Sequence, residues 1–252
     1  MKSTLHALLL GALLAASAAA RAEWSVNAQI ERFRWTEKIE SPGLVEDGGR
    51  AGIGVQWTQD RDVGLHWRYR GNAYAGSVRY EGQELFTGAP LQSTTDYAGI
   101  KNEVHALYRA DSESLVQLLG GIGFDYWERS FPSSGQREDW SVVFARAGIE
   151  TAPWRRFVFG VGAKYPLYVN ENSHLMEAGF DQNPELRPGR QLSLYGDLAY
   201  RISRRWQLTA YYDSYRFSQS PSVFATSNGT GFLVFQPRST MDMVGLRLDY
   251  FF

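Results

Sequence analysis

His66 and His105 are the side chains of this 252-residue sequence best suited to proton chemistry, because an unperturbed imidazole titrates near neutrality. Arg68 follows one of them by two positions and Glu103 precedes the other by two. This grouping reads either as a pH gate or catalytic pair, or as part of a satisfied polar network, and the second reading is adopted here. His174 shares a stretch with Glu177, Asp181 and Glu185, which reads as a solvated loop, and no metal site is assigned to it. Cysteine is absent, so neither a disulfide framework nor thiolate chemistry is available. No motif implies a cofactor.

The elements that must position these groups follow from two-residue periodicity. Ten segments alternate apolar and polar positions, over 24–35, 50–58, 62–74, 96–109, 115–129, 140–150, 156–168, 190–202, 205–217 and 240–252. Short connections at 59–61, 110–114, 151–155 and 203–205 alternate with long ones at 36–49, 75–95, 130–139, 169–189 and 218–239. That alternation is expected of an up-and-down antiparallel β-barrel whose two ends face different compartments. Upstream, Lys2, the apolar run from Leu8 to Ala20 and the small-x-small site Ala20-Arg21-Ala22 read as a secretory signal peptide. The expected domains are a signal peptide over 1–22 and a single all-β barrel over 23–252. Removing Lys2 and Arg21 from the 26 basic residues leaves 24 against 27 acids, a net charge of −3, which is no footprint for nucleic acid.

Each segment carries an apolar face of about ten residues, the length a tilted strand needs to cross a hydrocarbon layer. Phe157, Phe159, Val161, Ala163, Tyr165 and Leu167 share one such face, opposite Gly160, Gly162 and Lys164. A soluble sandwich would alternate too, but it would not gather Trp24, Trp57, Tyr108, Trp154, Tyr200 and Trp206 near the short-turn ends, as membrane-interface aromatics do. The opposite faces define an inward polar set: Glu31, His66, Arg68, Arg70, Lys101, Glu103, His105, Asp125, Arg146, Glu150, Lys164, Asp197, Arg201, Asp213, Arg247 and Asp249. The two signs are mixed, which favours mutual pairing over a pore selective for one sign. Alternation slips after Ile30, near Asp213-Ser214 and near Val142, and a one-residue β-bulge is predicted at each.

The last segment sets Val244, Leu246, Leu248, Tyr250 and Phe252 on one face. In this pattern the chain resembles the outer-membrane β-barrel proteins of Gram-negative bacteria, whose closing strand ends in an aromatic residue with apolar residues at alternate positions before it. The resemblance implies the outer membrane as location, contact with its lipid and lipopolysaccharide, and the barrel-assembly machinery as a partner during biogenesis. In strand count the chain also resembles the omptin proteases, which place an aspartate pair and an Asp-His pair at the extracellular rim. The only Asp-x-Asp here is Asp60 and Asp62 on a short turn, and there is no Asp-x-His. The His-x-Ser of outer-membrane lipid hydrolases is missing as well, since Arg68, Leu107 and Met176 stand two places after His66, His105 and His174. The expected function is thus a non-enzymatic scaffold with a charge-filled interior and loops free to meet an extracellular partner. A narrow porin-like channel is the alternative, with a protease or lipid hydrolase behind it. In the last loop, Asn228-Gly229 signals a hairpin, and Phe224, Phe232, Leu233 and Phe235 around it form either a contact surface or a lid.

Overall fold

A computed structural model describes residues 22–39, 43–59, 61, 63–84, 87–152 and 156–252. All of the expected signal peptide except Ala22 lies outside these residues, as do Asp60, Asp62 and Trp154. Ten long strands form the wall: β1 (Ala22–Lys38), β2 (Leu44–Gln59), β3 (Gly64–Gln83), β4 (Pro90–Arg109), β5 (Val116–Phe131), β6 (Gln136–Thr151), β7 (Phe157–Asn172), β10 (Ser193–Arg201), β11 (Trp206–Ser218) and β14 (Arg238–Phe251). Each pairs antiparallel with its neighbours, and β14 returns to β1 in unbroken register from Ser25↔Phe251 to Lys38↔Arg238. Closure is required in lipid, where an open edge would leave amides unpaired at several kcal/mol each. Between β7 and β10 lie a 3-10 turn at Leu175–Ala178 and two two-residue strands, β8 (Glu185–Leu186) and β9 (Gly189–Arg190). Before β14, β12 (Val223–Ser227) and β13 (Thr230–Val234) form a separate hairpin, turning through Asn228 and Gly229 at positive φ.

The outer surface carries the apolar belt. Ile30, Ile53, Leu65, Ile122, Val161, Leu194, Val244 and Leu246 are all exposed on it. Trp24, Tyr108 and Trp206 stand exposed at the turn end, where half-wet rings suit the interface. Leu248 and Phe252 are exposed on the same side as Val244, while Asp249, Arg247 and Met243 turn inward and are buried. In the closing strand, then, the oily face meets lipid and the charged face meets the lumen.

Two expectations are corrected. The connections 36–49, 75–95 and 130–139 are not long loops: β1 to β6 continue through most of them, leaving gaps of only a few residues. Their outer faces carry Lys38, Arg79 and Glu81, all exposed, so they stand above the hydrocarbon and lack the apolar face that marks a spanning strand. Nor do β1 and β11 contain bulges. Both keep strict register with β14, and what changes is the chemistry of each face. Below Glu31 the inner side of β1 is polar; above it come Phe33 and Trp35, fully buried inside, with Arg32 and Arg34 outside. In β11 the buried Tyr215 and Phe217 face inward, as Asp213 does below them. The slip near Val142 is real but sits on the partner strand. Register shifts between Val143 and Phe144, and Leu167 of β7 is the extra residue.

Inward glycines make room for rings on the adjacent strand. A Cβ on Gly123 would lie 2.3 Å from the Phe144 ring, and one on Gly99 would lie 2.6 Å from Tyr74. Gly123→Ala is therefore expected to cost about 1–3 kcal/mol by overpacking, read as a lower urea midpoint of the refolded barrel, whereas alanine at Gly120, where a Cβ meets nothing within 4 Å, should leave the midpoint unchanged.

Candidate functional site

The lumen is filled in layers. At the turn end a cavity of about 480 Å³ is bounded by His66, Arg68, Glu150, Arg201 and Arg247, among others. Arg68 on β3 and Glu150 on β6 form a two-pronged pair across it, at 2.7 and 2.8 Å, and Gln117 donates to the same carboxylate at 2.8 Å. Arg201 lies over the Phe251 ring at 3.9 Å and pairs with Glu23 at 3.4 Å. Arg247 and Asp249 pair along β14 at 3.1 Å. His66 reaches the carbonyl of Gly64 at 3.4 Å.

Above this lies an ionic belt centred on Asp213. It accepts from Lys101, from Lys164 at 2.7 Å and from Arg146 at 3.5 Å. Lys101 on β4 and Asp213 on β11 stand five strands apart in a ring of ten, so their ion pair spans the lumen. Arg146 also pairs with Glu103 at 3.2 Å. Glu31 pairs with Arg50 at 2.6 Å and accepts from the Tyr211 hydroxyl at 2.8 Å. Asp125 accepts from Tyr74 and Tyr215, both at 2.9 Å. Arg70 donates to Gln56 at 3.2 Å, and Asp197 lines the small void of about 80 Å³ left in this layer. His105 is enclosed 3.8 Å from Glu103, but unlike the satisfied histidine expected there, its ring nitrogens have no hydrogen-bond partner among the described residues.

The next layer is aromatic. Trp35 of β1 meets Trp140 of β6, from the opposite wall, with ring centres 5.2 Å apart. Trp140 stacks on Trp127 at 5.4 Å and touches Phe217 at 5.5 Å, and Phe144, Tyr215 and Met241 complete a buried cluster. Five strands are the largest separation ten can give, so this contact reaches across the full width of the lumen like a plug. Over the plug, at the loop end, opens a second cavity of about 630 Å³ bounded by Glu37, Tyr80, Arg129, Phe131, Glu138 and Glu171, among others.

The loop end is capped by chain 173–192 and the β12–β13 hairpin, which share a small core of Leu175, Phe180 and Ala225 with Phe232 and Val234 packed on it. The four loop residues singled out above divide: Phe232 lies against Phe180 at 5.5 Å, Phe235 lines the cavity, and Phe224 and Leu233 point outward, 60% and 69% exposed. Asp181 staples the two segments, its carboxylate accepting the Thr226 amide at 2.8 Å while its own amide donates to the Thr226 carbonyl at 2.9 Å. The hydrogen bonds that Thr226 donates to the Asp181 carboxyl hold it below its ordinary value. A depressed carboxylate stabilises the fold above its unfolded value of about 3.9 and loses that contribution as pH falls through the folded one.

One acid-base pair does form at the rim. His174, at φ 42°, places Nε2 2.7 Å from Asp139, which also accepts from Tyr126 at 3.2 Å. The pair comes from separate strands and loops, so no local motif announces it. It sits on the outer side of β6, and among the described residues no hydroxyl is hydrogen-bonded to His174. Arg50, Arg129, Glu37, Glu46, Glu138, Glu171 and the three plug tryptophans were likewise not singled out by sequence, since most of them lie in stretches that read as loops or at strand ends.

A closed ten-stranded wall, an apolar outer belt with turn-end aromatics and a polar lumen together define an integral β-barrel protein of the Gram-negative outer membrane. No family model matches the chain, and no curated protein matches it in sequence. Among solved structures it is similar to the outer membrane protease OmpT from Escherichia coli, with a TM-score of 0.53 and 12% identity over 92% of this chain and 96% of that one. It is also similar to the transport unit of the autotransporter AIDA-I from Escherichia coli (TM-score 0.48, 9% identity, 90% of each chain). The translocator domain of the autotransporter NalP from Neisseria meningitidis gives a TM-score of 0.44 and 14% identity over 100% of this chain and 98% of that one. At such identities the likeness is one of fold.

Two outcomes follow. Asp213→Asn strands Lys101, Lys164 and Arg146 around a neutral group and is expected to cost about 3–5 kcal/mol in urea titration, while Lys164→Met, which leaves Asp213 two cations, should cost clearly less. Asp181→Ala should release the hairpin, so that chymotrypsin at neutral pH cuts at Phe224 or Phe232 without unfolding the barrel.

Proposed function

We propose that this protein is a non-conducting outer-membrane scaffold whose β12–β13 hairpin meets an extracellular partner. The carrying observation is the contact of Trp35 with Trp140 across the full width of the lumen, backed by the Lys101–Asp213 ion pair across the belt below. A barrel of ten strands is about 20 Å across between backbones, and here side chains from opposite walls use up that width. The hairpin supplies the contact surface: Phe224 and Leu233 are cross-strand partners, both exposed, held above the membrane by the small core beneath them.

The assembly machinery and the lipid of the outer membrane remain the partners expected from the fold and its closing strand. The protein is read as non-enzymatic, since among the described residues no hydroxyl is hydrogen-bonded to His174 and the one on Asp139 is the phenol of Tyr126, and incubation of the refolded protein with peptide and lipid A substrates tests that reading by product formation.

Refolded protein in a planar bilayer should stay silent over a wide voltage range. Steady unit openings that change when Arg68 or Arg70 is neutralised would favour the channel alternative instead.

A further inference from the structure

The loop-end cavity is electrically unbalanced. Among the described lining residues its walls carry Glu37, Glu84, Glu138, Glu171 and Glu177 against one arginine, Arg129, and of these acids only Glu177 has a cation outside the lining, Arg137 at 2.9 Å. Arg129 is already shared, pairing with Glu138 at 2.7 Å, with Glu46 at 3.1 Å and with Glu37 at 3.2 Å. Glu37 is further satisfied by Trp35 and Gln236, at 2.8 and 3.1 Å. Glu46 is satisfied by Thr95 at 2.7 Å and by Tyr97.

Glu171 differs. It is 1% exposed, lines the cavity, and its Oε2 has no hydrogen-bond partner among the described residues. A buried carboxylate without a partner is costly, and a cation held in the cavity beside it would offset that cost. The rest of the wall mixes apolar and aromatic side chains with uncharged polar ones: Tyr80 and Phe131 meet edge to face at 5.9 Å, Leu44, Leu175 and Phe235 lie around them, and Gln83, Gln136 and Gln236 stand between. About 630 Å³ is within the range of small-molecule sites, and this one is more polar than most.

We infer that this cavity binds an organic cation, an ammonium or guanidinium head on an apolar stem, with the head against Glu171 and Glu138 and the stem along Tyr80 and Phe131. Rings and carboxylates together suit such a group, because the ring faces attract the cation as the acids do. A bare metal ion fits less well, since among the described residues no three acidic or histidine side chains are grouped to hold one. The inference does not depend on whether the barrel conducts. The head could belong to a free amine or to a lysine or arginine side chain of an extracellular peptide.

Calorimetric titration of the refolded full-length protein in detergent separates these sources, using cadaverine, N-acetyl-arginine methylamide and calcium chloride as three probes. Saturable binding of at least one organic cation is expected, weakened about tenfold or more by Glu171→Gln and unaltered by Glu185→Gln on the exposed loop. Tighter binding of the arginine amide points to a peptide, and tighter binding of cadaverine to a free amine. If Glu171→Gln does not refold, Ser133→Trp, at an exposed turn position that lines the cavity, should abolish binding by filling it. No saturable binding of either organic probe, binding indifferent to the variant used, or binding of calcium alone would overturn the inference.

Discussion

Hydrocarbon offers an amide no partner, and the rest of this structure depends on that. Every backbone donor and acceptor in the spanning region must be met by another strand, so the wall must close, as β14 does on β1. Once closed, the sheet has an inside, and pleating sends every second side chain there. The outside is fixed as apolar by the lipid. Only the inner set is free to vary, and it is there that charge, aromatic mass and cavity are laid down in sequence along the axis.

Because β1 and β11 keep register without bulges, the composition of their faces must change along the strand. β1 passes from Val26, Ala28 and Ile30 outside to Arg32 and Arg34 outside, while its inner face passes from Ser25, Asn27 and Glu31 to Phe33 and Trp35. The crossing point marks the edge of the hydrocarbon. Above it the wall stands in water, and the apolar side chains that stabilise it move inward, as in a soluble barrel. Trp35, Trp127 and Trp140 therefore form a core of ordinary protein type on top of a membrane segment with a salted interior. The two regions solve different solvation problems on the same continuous strands.

That inversion explains what the sequence disclosed and what it did not. Strand number, turn order and the lipid-facing stripe were legible because the belt repeats one pattern, apolar at every second place, on all ten strands. The ionic residues were legible as the complement of that stripe: Asp213, Lys101 and Arg146 each stand opposite a run of outward apolar neighbours. Their partners were not, since ion pairs such as Lys101 with Asp213 join residues 112 positions apart and depend on strand stagger. The upper strands were read as loops because Arg79 and Glu81 outside, with Val78 and Tyr80 inside, match neither template. Two apparent bulges were this same inversion, seen without knowing where the lipid ends. Glu171 and Arg129 lay within or beside stretches read as connections, so no face could be assigned to them.

The near balance of total charge conceals an axial separation. Among the described residues the turn-end cavity is lined by Arg61, Arg68, Arg70, Arg109, Arg201 and Arg247 against Glu23, Glu150 and Asp197, with Asp249 paired to Arg247, whereas the loop-end cavity is lined by five glutamates and one arginine, with Arg137 paired to Glu177. In the belt between them the signs are mixed and mutually paired. An anion drawn to the turn end would meet paired charges and then a ring of carboxylates; a cation attracted at the loop end would face arginines beyond the plug. A selective pore carries one sign along its length, as rings of like charge do in charge-selective channels. Opposite signs at the two ends distinguish this interior from such a pore, and the buried tryptophan layer lies between the belt and the loop-end cavity.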